Sequence, residues 1–415
     1  MKKVLLIISA LWLTLGNVNA QVHRCATMEN YERLKTLDPG YETRMNSLET
    51  LIQNQMAQNP SWKTSGVVTI PVVFHILYST NNSTQNISLA RIQAQLAVLN
   101  QDYSGTNPDI SNVPSVFQSL VGNTGIQFCL AVRDPQGNAT DGIIRKQTST
   151  TSFSQNDGIK YDSQGGDNAW PRDSYLNIWV GNLGGGLLGY AQFPGGAAAT
   201  DGVVLLNGSV GGPGALGTSA PYHKGRTATH EIGHWLNLRH INGDSNCGSD
   251  FVADTPTQQS LNFGCPSFPQ ISCNNGPNGE MFMNYMDYTD DACMYSFTLG
   301  QATRMNTSIT ASRAAILNSL GCVPVTIGLN EPAQSGFAIY PNPTNGELVI
   351  ENTNTTLDHA TVKVMNAMGQ YVISNTYSDF RGSHNLNMSE YSNGVYFIEI
   401  ATGDKTIIDK VILNK

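Results

Sequence analysis

The stretch HEIGHWLNLRH, His230 to His240, constrains this chain more than any other. On a helix, residues four apart share a face. His230 and His234 therefore point the same way and can grip one zinc ion at about 2.0–2.1 Å. Glu231 sits beside the first ligand and can reach a water on the metal without being a ligand itself. His240 is six residues past His234, the wrong offset for the same helical face. The helix must stop between them and turn the chain back. Asn237 lies midway, where left-handed backbone angles are needed, and Asn is among the most tolerant residues there after Gly. The competing reading is a buried helix with incidental histidines; a third histidine at the required spacing argues against it.

Met1 to Ala20 reads as a secretory signal peptide. Lys2 and Lys3 are followed by an apolar run, Val4 to Leu15, too short to span a bilayer, and Val18-Asn19-Ala20 supplies small residues for cleavage before Gln21. The alternative is a membrane anchor. No other stretch approaches spanning length, so no transmembrane segment is expected in the mature protein. A net charge of −8, with no basic run and no Gly-rich phosphate loop, argues against nucleic acid as a partner. Charged residues are 13% of the chain, about half the usual share, so neutral polar groups carry the surface.

An exported chain permits disulfides, and seven cysteines leave one over. Six lie between positions 129 and 322, and the odd one is Cys25. A thiolate near the start of a secreted zinc protein can be a fourth ligand that displaces the water and blocks the site. Otherwise Cys25 is accidental or pairs between molecules.

Taken in order, residues 21–65 are polar and helix-prone, divided at Pro39-Gly40, with too few apolar residues for a core of their own. They read as a pro-segment, with Lys63 near its removal site. VVTIPVVFHIL is a β-prone run suited to a central strand, with His75 in a structural role. Ser88 caps a helix whose Leu89, Ile92, Leu96 and Leu99 form a stripe. Strands follow in IQFCLAVRD, GIIRKQT, YLNIWVGN and GVVLLN. The Gly-rich LLGYAQFP is either an edge strand for an extended peptide or a flexible loop. The histidine helix is expected to start near Tyr222. Beyond His240 the chain is loop-rich, and Asp244, Asp250 and Asp254 offer oxygen ligands for calcium or simply form a solvated acidic loop. Met286 sits in a tight polar turn, the helix TLGQATRMNTSITASRAAILNSL follows, and this unit ends near Cys322. A linker at 323–336 leads to alternating strands with Gly-centred turns at 337–415, expected to form a small β-sandwich.

With HEIGHWLNLRH, NYMDYTDDACMYSFT, LLGYAQFP and DGVVLLN in hand, residues 66–322 resemble the metzincin metallopeptidases, and among them the pappalysin family. The resemblance implies an α+β fold: a metzincin-type zincin catalytic domain with a twisted mixed sheet and an active-site helix, followed by the β-sandwich. It implies zinc on His230, His234 and His240, with calcium in the loops beyond. It implies that Met286 lies beneath the ligands and that Tyr288 helps stabilise the reaction intermediate. The family's cysteine pattern suggests Cys247–Cys273 and Cys265–Cys293, leaving Cys129–Cys322 as a third pair. Family members are made as zymogens, some with a pro-segment cysteine on zinc, which fits Cys25. Two positions depart from the pattern. Asn237 replaces the clan's usual Gly, which its backbone tolerance permits. Members that prefer basic residues carry an acid just before the cysteine numbered 293 here; that position is Ala292, with Asp290 and Asp291 close by, which counts against such a preference.

The C-terminal YPNPTNG, MNAMGQ, LNMSEYSNGVYFIEI and KVILNK resemble the type IX secretion sorting domain. This implies the secretion machinery as a partner, export across the outer membrane of a gram-negative bacterium, and a product released or attached at the cell surface. The expected function is a secreted zinc endopeptidase, made as a zymogen, that acts on protein or peptide substrates with Glu231 as general base. The alternative is an inactive adhesin or binding protein on a peptidase fold, which the intact Glu231 and three histidines disfavour.

Overall fold

The structure, a computed structural model, describes residues 24–58, 66–79, 82–325, 337–352, 359–402 and 405–415. The expected signal peptide, Lys63 and most of the linker lie outside them. Strand β1 (Val68–Ser79) is buried at all but two of its 12 positions. A strand covered on both faces reads as a continuous apolar run instead of an alternating one. It is the centre of a six-stranded sheet. Strands β2 (Ile126–Leu130) and β3 (Ile143–Thr148) pair parallel with its first and second halves, and β4 (Leu176–Gly181) pairs parallel with its middle. Strand β6 (Val203–Leu206) runs parallel to β4, and the short β5 (Gly189–Ala191) closes the order as an antiparallel edge. LLGYAQFP thus contributes an edge strand.

Two helices (α1, Thr27–Leu37, and α2, Tyr41–Gln58) precede β1. They bury Tyr31, Leu34, Tyr41 and Met45 in one small cluster with Phe193, and the Tyr41 hydroxyl donates to the Phe193 carbonyl at 2.7 Å. These residues therefore do not make a separate core. Helix α3 (Leu89–Ser104) is capped by the Ser88 hydroxyl, which accepts the Arg91 N–H at 3.3 Å. Ile92, Leu96 and Leu99 are buried against the sheet, but Leu89, expected in that stripe, is 49% exposed because the first helical position faces away from the sheet.

Helix α4 (Arg226–Trp235) carries the first two histidines. It starts later than Tyr222 because Gly225, at φ +90°, ends the preceding turn in the left-handed region. Helix α5 (Leu299–Ser312) opens with a capping box between Thr298 and Gln301. Disulfides join Cys129 to Cys322, Cys247 to Cys273 and Cys265 to Cys293, and Cys25 is free.

The C-terminal strands are β7 (Phe337–Tyr340), β8 (Glu347–Asn352), β9 (Ala360–Asn366), β10 (Tyr371–Tyr377), β11 (Gly382–Asn387), β12 (Gly394–Thr402) and β13 (Lys405–Leu413). They form a four-stranded sheet, β10-β9-β12-β13, and a three-stranded sheet, β11-β8-β7. Both sheets supply one core, with Leu348 and Ile350 from the smaller and Val362, Val364, Ile398 and Ile400 from the larger. That is the arrangement of a sandwich. None of the described helices is long and apolar enough to cross a membrane.

Candidate active site

The site is made by where α4 stops. The Leu238 N–H bonds the Gly233 carbonyl at 2.9 Å and the Asn237 N–H bonds the His234 carbonyl at 2.8 Å. This pair of bonds around a left-handed residue is a Schellman stop, and Asn237 has φ +72°. The chain reverses there and returns His240 to the face that already carries His230 and His234. The His234 Nε2 lies 3.1 Å from the Nε2 atoms of both His230 and His240.

Each ring is held from behind. His230 Nδ1 donates to the Tyr285 carbonyl at 2.7 Å and His234 Nδ1 to the Leu238 carbonyl at 2.8 Å. His240 Nδ1 faces the Asp244 carboxylate at 2.5 Å. Carbonyl and carboxylate oxygens only accept, so the protons sit on Nδ1. Burial pushes the pKa of His230 and His234 well below the ordinary range, with their neighbouring imidazoles acting the same way. Neutral rings leave three Nε2 lone pairs aimed at one another. Two ligands about 2.0–2.1 Å from one tetrahedral zinc would be roughly 3.3 Å apart, so the donor set fits that ion.

Two glycines are explained by what surrounds them. A Cβ at Gly233 would lie 2.6 Å from Met286 Sδ, so the fully buried Met286 sits directly under the helix between the two histidines. A Cβ at Gly189 would lie 2.9 Å from the Val204 carbonyl and 3.0 Å from Glu231 Cγ, so glycine lets edge strand β5 run close past the carboxylate. Burial pushes the Glu231 carboxyl up to about 8, against the hydrogen bonds of Thr27 and Cys25. A divalent cation at the histidines would draw it back down. The Tyr288 ring stands 5.0 Å from that of His240 and 5.7 Å from that of His230.

The chain before α1 fills this site. The Sγ of Cys25 and one nitrogen from each of the three histidines lie within 4.8 Å of one another, all buried. Cys25 bridges Gly189 in parallel, and the Ala26 N–H donates to the Gly189 carbonyl at 3.0 Å. The Thr27 hydroxyl donates to Glu231 Oε2 at 2.9 Å and accepts the Ala191 N–H at 2.8 Å. The Tyr288 hydroxyl donates to the Cys25 carbonyl at 3.3 Å. Arg24, 1% exposed, reaches a side pocket where it bonds the Thr289 carbonyl, lies 3.6 Å from Asp291 and stacks 4.8 Å from the Tyr222 ring centre. Asp291, one residue before Ala292, is fully buried and faces this guanidinium.

The three aspartates weighed for calcium do not converge. Asp244 supports His240, Asp250 accepts from Thr255 and Val252, and Asp254 accepts from Thr298 and Gly300 at the start of α5. His75 is engaged elsewhere, with Asp167 at 2.6 Å and Asn177 at 3.0 Å. Sequence reasoning missed Arg24, Thr27, Gly189 and Gly233. Only the placement of Arg24 and Thr27 beside Cys25 carried any signal.

Comparison with known proteins agrees with this geometry. The pregnancy-associated plasma protein-A peptidase family matches residues 160–310, and the secretion system C-terminal sorting domain matches residues 338–414. An extracellular metalloprotease of Pyricularia oryzae is 34% identical over 252 residues, covering 60% of this chain and 77% of that one. One from Arthroderma benhamiae is 35% identical over 255 residues, covering 60% and 79%. A mutant of Tannerella forsythia promirolysin superposes with TM-score 0.65 at 47% identity, over 71% of this chain and 97% of that one. Tannerella forsythia mature mirolysin in complex with a cleaved peptide superposes with TM-score 0.59 at 52% identity, over 61% and 97%.

Asp244 orients His240 from outside the metal. Asp244→Ala is expected to weaken zinc binding by roughly 10–100-fold, read by chelator competition; an unchanged affinity would remove Asp244 from the site.

Proposed function

This chain belongs to the pregnancy-associated plasma protein-A family of metallopeptidases, and on that premise we propose a zinc endopeptidase made as a zymogen, with Glu231 as general base and residues 21–65 as a removable pro-segment. At the level of class it is a zinc metallopeptidase acting on peptide bonds, and its sorting domain marks it for secretion across the outer membrane of a bacterium. In this reading residues 66–322 are the catalytic domain and 337–415 the sorting domain.

Zinc on His230, His234 and His240 supplies the Lewis acidity that makes water a nucleophile near neutral pH and polarises a carbonyl. Glu231 takes the water's proton and passes it to the leaving amine. The Tyr288 hydroxyl, already donating to a peptide carbonyl at Cys25, is placed to donate to the oxygen on which charge develops. The backbone of β5 at Gly189 and Ala191 offers hydrogen bonds to an extended peptide.

The observation that carries the zymogen reading is the run Arg24 to Thr27. It puts a thiol at the histidines, a hydroxyl on the base, backbone on the edge strand and a cation in the side pocket. No substrate can enter while it stays. The two mirolysin forms support this, since the pro form aligns over 71% of the chain and the mature form over 61%. Arg24 beside Asp291 further supports a pocket that accepts an arginine side chain of the substrate.

Glu231→Ala should lower casein hydrolysis by roughly 10²–10⁴-fold while one zinc stays bound, and a chelator should abolish wild-type activity; proteolysis undiminished by either would favour the inactive-adhesin reading. Cys25→Ala should speed activation of the full-length chain, measured as the lag before hydrolysis, and an unchanged lag would count against the thiol as a block. In a peptide-library digest, Asp291→Asn should cut cleavage at arginine by roughly tenfold or more relative to other sites; an unaltered profile would sink the pocket assignment.

A further inference from the structure

The second contact between the pro-segment and the metal loop lies outside the cleft. Arg304 of α5 is fully buried, and its guanidinium is divided between two partners. The Nε donates to the Asn237 carbonyl at 2.8 Å, on the left-handed residue that returns His240 to the site. Nη1 and Nη2 clasp the Glu49 carboxylate of α2 at 2.8 and 2.5 Å. The Phe251 ring centre lies 5.6 Å from the guanidinium carbon. Gln53, one turn beyond Glu49, donates to Glu49 Oε1 at 2.8 Å and to the Phe251 carbonyl at 3.3 Å. Met45 and Ile52, spaced to share the face of α2 that carries Glu49, are buried.

Glu49 belongs to the segment whose removal activates the enzyme in the reading above, and the present inference rests on that reading. An arginine side chain does not lose its proton. When α2 leaves, Arg304 keeps its charge and its bond to Asn237, but two forked donor groups lose their acceptor. Such a cation, partly enclosed and backed by an aromatic ring, has a strong preference for a new carboxylate.

We propose that Arg304 and Phe251 of the processed enzyme form a carboxylate-binding site behind the metal loop, which takes the acidic side chain of an amphipathic helical peptide presented as α2 presents Glu49. Binding there steadies the Asn237 turn, and through it His240, without entering the cleft.

The test uses the processed, zinc-loaded protein titrated with a synthetic peptide of residues 41–58, which lacks Arg24, Cys25 and Thr27 and so cannot fill the active site. Calorimetry should show saturable binding, weakened roughly ten- to a hundredfold by Glu49→Gln in the peptide. The bound peptide should also slow zinc loss to a chelator by a few fold, and the Glu49→Gln peptide should not. Arg304→Lys in the enzyme, which keeps the charge but not the fork, should give an intermediate loss. Equal binding of the two peptides, or no binding of either, overturns the site, whether or not the Arg304 variant folds. Failure of the zymogen reading is distinct: mass spectrometry of the secreted protein would then find residues 24–58 still attached, and the site would be permanently filled by Glu49.

Discussion

Three imidazole lone pairs pointed at one place repel each other, and the rest of the structure depends on holding them there. Each ring is pinned through its Nδ1, one by the Met286 turn, one by the helix stop and one by Asp244. The pins belong to separate stretches of chain, and disulfides staple the loop between two of them at Cys247–Cys273 and Cys265–Cys293. That loop is poor in core residues, so covalent links do what burial cannot. The geometry is costly without a cation and favourable with one. Metal binding is in this sense part of folding.

Helix α4 is also where tolerances are smallest. On one side Gly233 admits Met286, on another Gly189 lets β5 pass Glu231, and at its end Asn237 turns left-handed. The two glycines answer neighbours far away in the chain, and Asn237 answers the local need to return His240. Arg304 is fixed to that same turn from α5. The segment before β1 therefore touches the metal loop from two sides: Cys25 approaches from the cleft and Glu49 from behind.

Much of this was legible in the sequence. The offsets in HEIGHWLNLRH required a helix, a stop and a left-handed residue, because those follow from helical periodicity and local sterics alone. The β1 run announced a central strand. The side pocket was not legible. Asp290, Asp291 and Ala292 are neighbours in the sequence, and only the burial of Asp291 beside Arg24 sets one of them apart. The tasks of the aspartates beyond His240 were not legible either: only three-dimensional placement separates the carboxylate at the start of α5 from the one that props a histidine. Thr27 could not be singled out, since a hydroxyl two residues from a cysteine has no spacing rule of its own.

The edge strand β5 has a consequence for the chain before it ever meets a substrate. An unpaired strand edge is a template for any extended segment, including another copy of the same protein. Here the edge is only Gly189–Ala191 and is already paired by Cys25 and Ala26. While that cover remains, β5 has no free edge to offer a second copy. In the zymogen reading proposed above, the residues that cover the cleft thus also cover this edge, and removal of their segment would expose both.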